Sequence, residues 1–183
     1  NKKIIGDKVG SILFSYEDVL SKFIESYYKK GGDKQMTFVH VHDGGRLLSR
    51  NEKAFRETHE RIGQKYNVIN CDDSYTRTYH DFYEYFQNNK KGYFIAYRDS
   101  IAAAIENAAT DVGLKVPEDV EIVSLVGTKY ANILRPSITA LHINMQEVGQ
   151  RSMYMLIDLI NNDLVDKSYR FEPLVTERSS TIK

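Results

Sequence analysis

Two kinds of hydrophobic pattern alternate along the chain. Short apolar runs rich in β-branched and aromatic residues are typical of buried β-strands, whereas longer stretches carry apolar residues at helical spacing. One such helical stretch separates most of the short runs from the next. The predicted strands are residues 9–14, 36–41, 67–71, 93–97, 120–126 and 138–143, with further strands after residue 167.

The helical stretches have recognisable boundaries. Ser49 and Glu52 form a capping-box pattern, which predicts that the second helix begins there. Asp99 follows a strand, and its carboxylate predicts an N-cap for the fourth helix, which ends at Gly113. The predicted helices are the apolar stripe over residues 19–27, a helix from residue 49, and helices over residues 75–88, 99–113 and 146–160.

The order of these elements predicts an α/β fold. Strands that alternate with helices of this length build βαβ units and therefore a mostly parallel sheet. Because the strands are apolar throughout, we expect helices on both faces of that sheet. Ligands of such sheets bind beyond the carboxyl ends of the strands, so the residues that directly follow each strand are the first candidates for a binding site.

Composition and charge narrow the possible functions. The chain has 25 Lys and Arg against 25 Asp and Glu, and this absence of net charge argues against nucleic-acid binding by these 183 residues alone. Its single cysteine, Cys71, excludes an internal disulfide and fits a reducing compartment. No apolar run is long enough to cross a membrane. The chain has no initiating Met, so we expect a fragment or a processed form.

Several motifs resemble one known family. Arg98-Asp99 precedes an alanine-rich helix, and residues 113–120 read GLKVPEDV. Residues 135–139 read RPSIT, and the tail at 174–181 reads LVTERSST. Together these segments resemble the ligand-binding domain of the LacI/GalR transcription regulators over nearly the whole chain.

The resemblance implies a two-lobed, periplasmic-binding-protein-like fold with an effector in the cleft between the lobes. Residues 15–143 and 167–183 would form the C-terminal lobe, and residues 1–14 and 144–166 would be remnants of an N-terminal lobe that is mostly absent. The DNA-binding headpiece would also be absent. The apolar stripe of the 146–160 helix would then lack its usual partner, leaving it covered by another copy, by rearrangement, or by nothing.

The resemblance also implies which residues contact the effector. Val126 stands where the family commonly has an aspartate that binds sugar hydroxyls, and Asn51 and Ile143 replace two further polar contacts. An ordinary hexose is therefore in doubt, while a less hydroxylated or anionic effector fits Arg98, Arg50 and Lys129 better, as does a pocket that has lost its ligand. The expected effector-binding residues are Arg98, Tyr75, Asn51, Arg50, Val126 and Ile143.

By the same resemblance, the chain forms a homodimer. Small residues on the alanine-rich helix would allow another helix to approach closely, although packing within the lobe explains them equally well. The expected dimer residues are Ala102, Ala103, Ile105, Glu106, Tyr130 and Leu134. We expect a cytoplasmic regulator that binds a small molecule, contacts DNA only through its headpiece, carries no cofactor or metal, and catalyses nothing.

Two alternatives remain. A periplasmic solute-binding protein would share the fold, although the tail at 174–181 favours the regulators. A metal-dependent hydrolase would use His40 and His42, which alternate on one strand and precede Asp43. No further histidine stands at a confirming spacing, so the metal site is the weaker alternative.

Overall fold

The computed structural model describes residues 9–42, 44–161 and 168–181. Within them, six helices alternate with eight strands. None of these helices is both long and apolar enough to span a bilayer. The elements are β1 (Ser11–Phe14), α1 (Glu17–Lys29), β2 (Met36–Val41), α2 (Gly45–Ile62), β3 (Tyr66–Cys71), α3 (Tyr75–Asn88), β4 (Gly92–Ala96), α4 (Asp99–Asp111), β5 (Val120–Ser124), α5 (Lys129–Ile133), β6 (Thr139–His142), α6 (Met145–Asn161), β7 (Ser168–Phe171) and β8 (Leu174–Thr176).

The main sheet has six strands in the order β3-β2-β4-β5-β6-β8. Its first five strands are parallel, and β8 runs antiparallel to β6. The chain moves one way across the sheet from β2 to β3 and the other way from β3 to β4, so right-handed crossovers place α2 and α3 on opposite faces. Helix α1 packs on α2, and α4 packs on α3. The predicted α/β class is confirmed.

This strand order creates a topological switch point between β2 and β4. The chain leaves β2 and β4 towards opposite sides of the sheet, and a crevice forms outside their carboxyl ends. Strands β4 and β5 are buried at every position, as expected for a sheet covered on both faces. The carboxyl edge is therefore the place to look for a binding site.

A second, two-stranded sheet pairs β1 with β7 in parallel. Met155 of α6 lies against Gly10, beside β1, so this helix packs on the small sheet. Residues 167–183 were predicted to belong to the C-terminal lobe. Their two strands lie in different sheets, because β7 pairs with β1 while β8 pairs with β6. The lobe boundaries themselves stay a prediction. Residues 1–8, 162–167 and 182–183 lie outside the described residues.

One predicted helix start, at Ser49, and one predicted cap, at Asp99, are wrong. Helix α2 begins at Gly45, and Ser49 lies inside it, with its hydroxyl donating to the Gly45 carbonyl at 3.3 Å. Asp99 does begin α4, but its carboxylate accepts hydrogen bonds from the Thr128 amide at 2.9 Å and the Thr128 hydroxyl at 2.5 Å. Asp99 therefore fastens the loop after β5 to α4 and does not cap its own first turn.

The tail after β8 is built into the main sheet through Ser180, which is fully buried. Its hydroxyl donates to the Ile122 carbonyl at 2.5 Å and accepts from the Thr139 amide at 2.8 Å. Its backbone pairs with Ile122 and with Ser137, each at 3.0 Å. The hydroxyls of Thr181 and Thr139 lie 2.8 Å apart. The family-like tail is thus a structural clamp on β5 and β6.

Candidate functional site

An apolar cavity of about 280 Å³ opens at the carboxyl edge of the main sheet. Its walls come from the end of β1, from the first turn of α2, from the loop after β5 and from the end of β6. Two of the predicted effector residues, Val126 and Ile143, lie in it. The lining residues are Phe14, Tyr16, Leu47, Val126, Gly127, Thr128, His142, Ile143 and Met145.

The loop after β5 is held in a defined position against this cavity. The buried Ser124 hydroxyl donates to the Val126 carbonyl at 2.7 Å and accepts from the Val126 amide at 3.2 Å. A Cβ atom on Gly127 would lie 2.8 Å from the Cβ of Ala140 and 3.2 Å from that of His142. Only a glycine at this position allows the loop to pack so closely on β6 and leaves the cavity open.

A polar group lies at the carboxyl ends of β3 and β4. Arg98 forms an ion pair with Asp73 and stacks over the Tyr97 ring, 5.4 Å from its centroid. Among the described residues, no acceptor lies within hydrogen-bonding distance of Arg98 Nε, which is buried. Asp99 follows directly in sequence and binds Thr128, a cavity residue. Arg98 is therefore the sequence neighbour of the residue that holds the cavity loop.

Tyr16 is one of the few polar side chains that line the cavity. Burial raises the pKa of Tyr16 to about 12, with a smaller contribution from the charge of Tyr97. The phenol consequently stays protonated at every physiological pH. The cavity thus offers one phenolic donor among mostly apolar side chains.

Arg50 is engaged in the turn that leads from β1 into α1. It forms an ion pair with Glu17, whose carboxylate also accepts from the Ser15 hydroxyl at 3.0 Å. Burial alone would raise the pKa of Glu17, but hydrogen bonds from its own backbone and from Ser15, together with the positive charge of Arg50, lower it overall. The predicted contact residue Arg50 therefore stabilises this turn and does not line the cavity.

The family model of the periplasmic binding protein-like domain matches residues 40–181. The chain belongs to this family. Among curated relatives, the HTH-type transcriptional regulator pepR1 of Lactobacillus delbrueckii subsp. lactis is 31% identical over 86 residues, which are 46% of this chain and 26% of that protein. Catabolite control protein A of Staphylococcus xylosus is 23% identical over 182 residues, which are 96% of this chain and 54% of that protein.

Solved structures extend this similarity to the fold. The LacI family transcriptional regulator from Arthrobacter sp. FB24 matches with a TM-score of 0.84 at 17% identity, covering 96% of this chain and 66% of that one. Its complex with lactose matches with a TM-score of 0.83 at 17% identity, covering 95% and 67%. The resemblance to LacI-type regulators is confirmed, and the chain spans about half the length of the Staphylococcus relative.

Not all of the expected effector residues of this periplasmic binding protein-like domain come together. Asn51 is almost completely buried in α2, and its amide oxygen has no partner among the described residues. Tyr75 lies over α4, where its hydroxyl accepts from Asn107 Nδ2 at 2.6 Å. Neither residue lines the cavity, and their roles stay predictions. The strand-end rule covers Tyr16, Gly127 and Thr128, whereas nothing in the sequence distinguishes Leu47 from an ordinary core residue.

Two of the expected dimer residues are packed inside the chain. Ala102 and Ile105 have no exposed surface and belong to the hydrophobic core under α4, and their role in a dimer stays a prediction. Packing within the chain, the alternative considered above, accounts for both. Tyr130 and the neighbouring Ile133 of α5 are 57% and 59% exposed, and Leu134 is half-buried.

Glu106 is an unusual member of α4. Its side chain is 1% exposed, and neither carboxylate oxygen has a hydrogen-bonding partner among the described residues. Desolvation by burial raises the pKa of Glu106 to about 7. Ala103, one turn earlier, is also buried. This face of α4 is closed within the chain as described.

Among the residues that the structure describes, His40 and His42 belong to no cluster of potential metal ligands. His40 Nδ1 contacts Glu52 of α2 at 2.5 Å. Across residues 9–42, 44–161 and 168–181, no three His, Cys, Asp or Glu side chains lie close enough together to hold a metal ion. Asp43 lies outside the described residues.

Proposed function

We propose that this chain is the effector-binding domain of a LacI-type bacterial transcription regulator. The observation that carries the proposal is the cavity at the carboxyl edge of the sheet, in a chain of the periplasmic binding protein-like family whose relatives are transcription regulators. The residues proposed to contact the effector are Val126 and Ile143 in the cavity and Arg98 after β4.

The proposed activity is regulation by a small molecule, without catalysis. An effector shifts the balance between open and closed arrangements of two lobes only to the extent that it binds one of them better. DNA would be bound by a separate headpiece in the complete regulator, which would act in the cytoplasm. A homodimer would form through the exposed surface of α5 around Tyr130 and Ile133.

Ligand binding and DNA release together test this proposal. Purified full-length regulator is screened by thermal shift against sugars, sugar phosphates, nucleobases and small organic acids, and each hit is assayed for its effect on operator binding. Ile143→Trp would fill the cavity and should abolish the shift, whereas Ile160→Trp, at a 70% exposed position on α6, should not. Hits that still bind the Ile143→Trp protein would show that the effector site lies elsewhere.

A further inference from the structure

We propose that the effector of this cleft combines a compact apolar body with one anionic head group, as in a small aryl-substituted carboxylic acid. This inference rests on the proposed function, because it assumes that the cavity at the carboxyl edge is the effector site. It assigns the body to the cavity and the head group to Arg98. A polyhydroxylated sugar is the alternative that it excludes.

The cavity wall has few polar groups to offer a sugar. Phe14, Leu47, Val126, Ile143 and Met145 present apolar side chains to it. Each sugar hydroxyl placed against such a wall loses its hydrogen bonds to water without replacement, which is costly. An aromatic or alicyclic ring loses nothing polar there and gains from the burial of apolar surface.

Two of the polar side chains that line the cavity, Thr128 and His142, already make hydrogen bonds within the chain. The Thr128 hydroxyl donates to Asp99 at 2.5 Å and accepts from the Tyr130 amide at 3.1 Å. His142 Nδ1 lies 3.2 Å from the Thr176 hydroxyl. The Tyr16 phenol and the second nitrogen of His142 remain for a ligand. These two groups can orient a ligand with one or two polar atoms, but they cannot satisfy the several hydroxyls of a sugar.

Arg98 supplies the complementary charge. Its guanidinium has five donors in a planar fork that matches a carboxylate, and one of its terminal nitrogens binds Asp73. Its partner Asp73 has a side chain that is 43% exposed, and that of Arg98 is 39% exposed, so water screens this ion pair. A ligand carboxylate held in a closed cleft would therefore share the guanidinium or displace Asp73.

The volume of the cavity agrees with this class of ligand. A cavity of roughly 150 Å³ is sufficient for benzene, and this one measures about 280 Å³. It accommodates a single ring with a short side chain. The proposal requires this side chain to reach from the cavity to Arg98, the residue next to Asp99, to which the cavity loop is bound.

The test compares acids with their neutral amides on purified full-length regulator at fixed ionic strength. The probes are phenylacetate, 3-phenylpropionate and 4-phenylbutyrate, the three corresponding amides, and lactose, with affinities measured by calorimetry or ligand-observed NMR. We expect at least one acid to bind tenfold or more tightly than its amide. Arg98→Gln should reduce that ratio to about one without weakening the amide, while Arg98→Lys should retain part of it.

A matched control and the remaining outcomes make the test decisive. Arg77→Gln removes a more exposed arginine that also pairs with an aspartate, Asp72, and should leave the ratio unchanged. Equal binding of acid and amide, or binding of lactose alone, overturns the inference. The proposed function still stands in either case if Ile143→Trp abolishes that binding. If Ile143→Trp leaves the binding of every probe unchanged, the proposed effector site fails as well.

Discussion

Replacing Glu106 with methionine should make the protein more stable at neutral and alkaline pH. The carboxyl group of Glu106 is 1% exposed and has no hydrogen-bonding partner among the described residues, and burial raises its pKa from the ordinary 4.5 to about 7. Methionine has a similar length and carries no charge that must be desolvated. The variant therefore removes the ionisation penalty while retaining most of the packing of α4.

The sign and the size of this stability difference follow from the linkage between proton binding and folding. Below pH 4.5, Glu106 is protonated in both the folded and the unfolded chain, and ionisation has no effect. Between 4.5 and about 7 the unfolded chain loses this proton while the folded chain retains it, so the free energy of unfolding falls as the pH rises. At about 1.4 kcal/mol per pKa unit, the complete loss above pH 7 is ~3 kcal/mol.

Urea unfolding at several pH values between 4 and 8 measures this directly. We expect wild type and Glu106→Met to have similar stability near pH 4 and to diverge by up to ~3 kcal/mol at pH 8. Buried His59, whose pKa is lowered by desolvation, contributes equally to both proteins and cancels from the difference. Glu57→Met, at an exposed position on α2, is the control and should follow wild type. Parallel pH profiles for wild type and Glu106→Met would refute the reasoning.

Three further substitutions test the packing around the site, each by chemical denaturation. Ser180→Ala leaves a buried amide and a buried carbonyl unpaired and should lower the free energy of unfolding by about 1–3 kcal/mol. A loss as small as that caused by Ser179→Ala, at the exposed neighbouring position, would show that Ser180 does not hold β5 and β6 together. Gly127→Ala forces a Cβ to within 2.8 Å of Ala140 and should cost about 1–3 kcal/mol; full stability would mean that the loop moves freely. In Gly149→Ala the added methyl group would have no atom within 4 Å, so the change should stabilise α6 by about 0.5–1 kcal/mol. A loss of stability would indicate that the face of α6 at residue 149 is covered.

Hydrophobic periodicity was sufficient to predict most elements of the fold. The third helix was expected over residues 75–88 and is Tyr75–Asn88, and the second strand was expected over residues 36–41 and is Met36–Val41. Both elements have strong apolar patterns, and Ser74 caps the helix locally by accepting from the Arg77 amide. Information of this kind lies within a few residues of the element that it determines.

Helix starts were predicted less well because polar residues near them have several possible partners. Ser49 resembles a cap in the sequence, but α2 extends one turn further towards its N-terminus. Asp99 has the right position for a cap, yet its carboxylate binds Thr128, which is 29 residues away in the sequence. The partner of such a side chain is chosen by tertiary structure, which a local pattern does not contain.

The candidate site was predicted in part. The rule that ligands bind beyond the ends of parallel strands points to Val126 and to Arg98, and both lie at the carboxyl edge. Phe14, Leu47 and Met145 are apolar wall residues, and nothing in the sequence separates such residues from the core. The apolar character of the cavity therefore became visible only when these side chains were brought together.

Family membership and effector choice depend on different residues of this chain. The tail residue Ser180, which helps to identify the family, is buried and bonded to β5 and β6. The cavity instead takes its character from Val126, Gly127 and Ile143, none of which belongs to those motifs. Motifs that stabilise the sheet are compatible with many cavity linings, because the wall residues can change without loosening the clamp. The chemistry of the proposed effector is therefore inferred from the cavity itself, whose wall is mostly apolar.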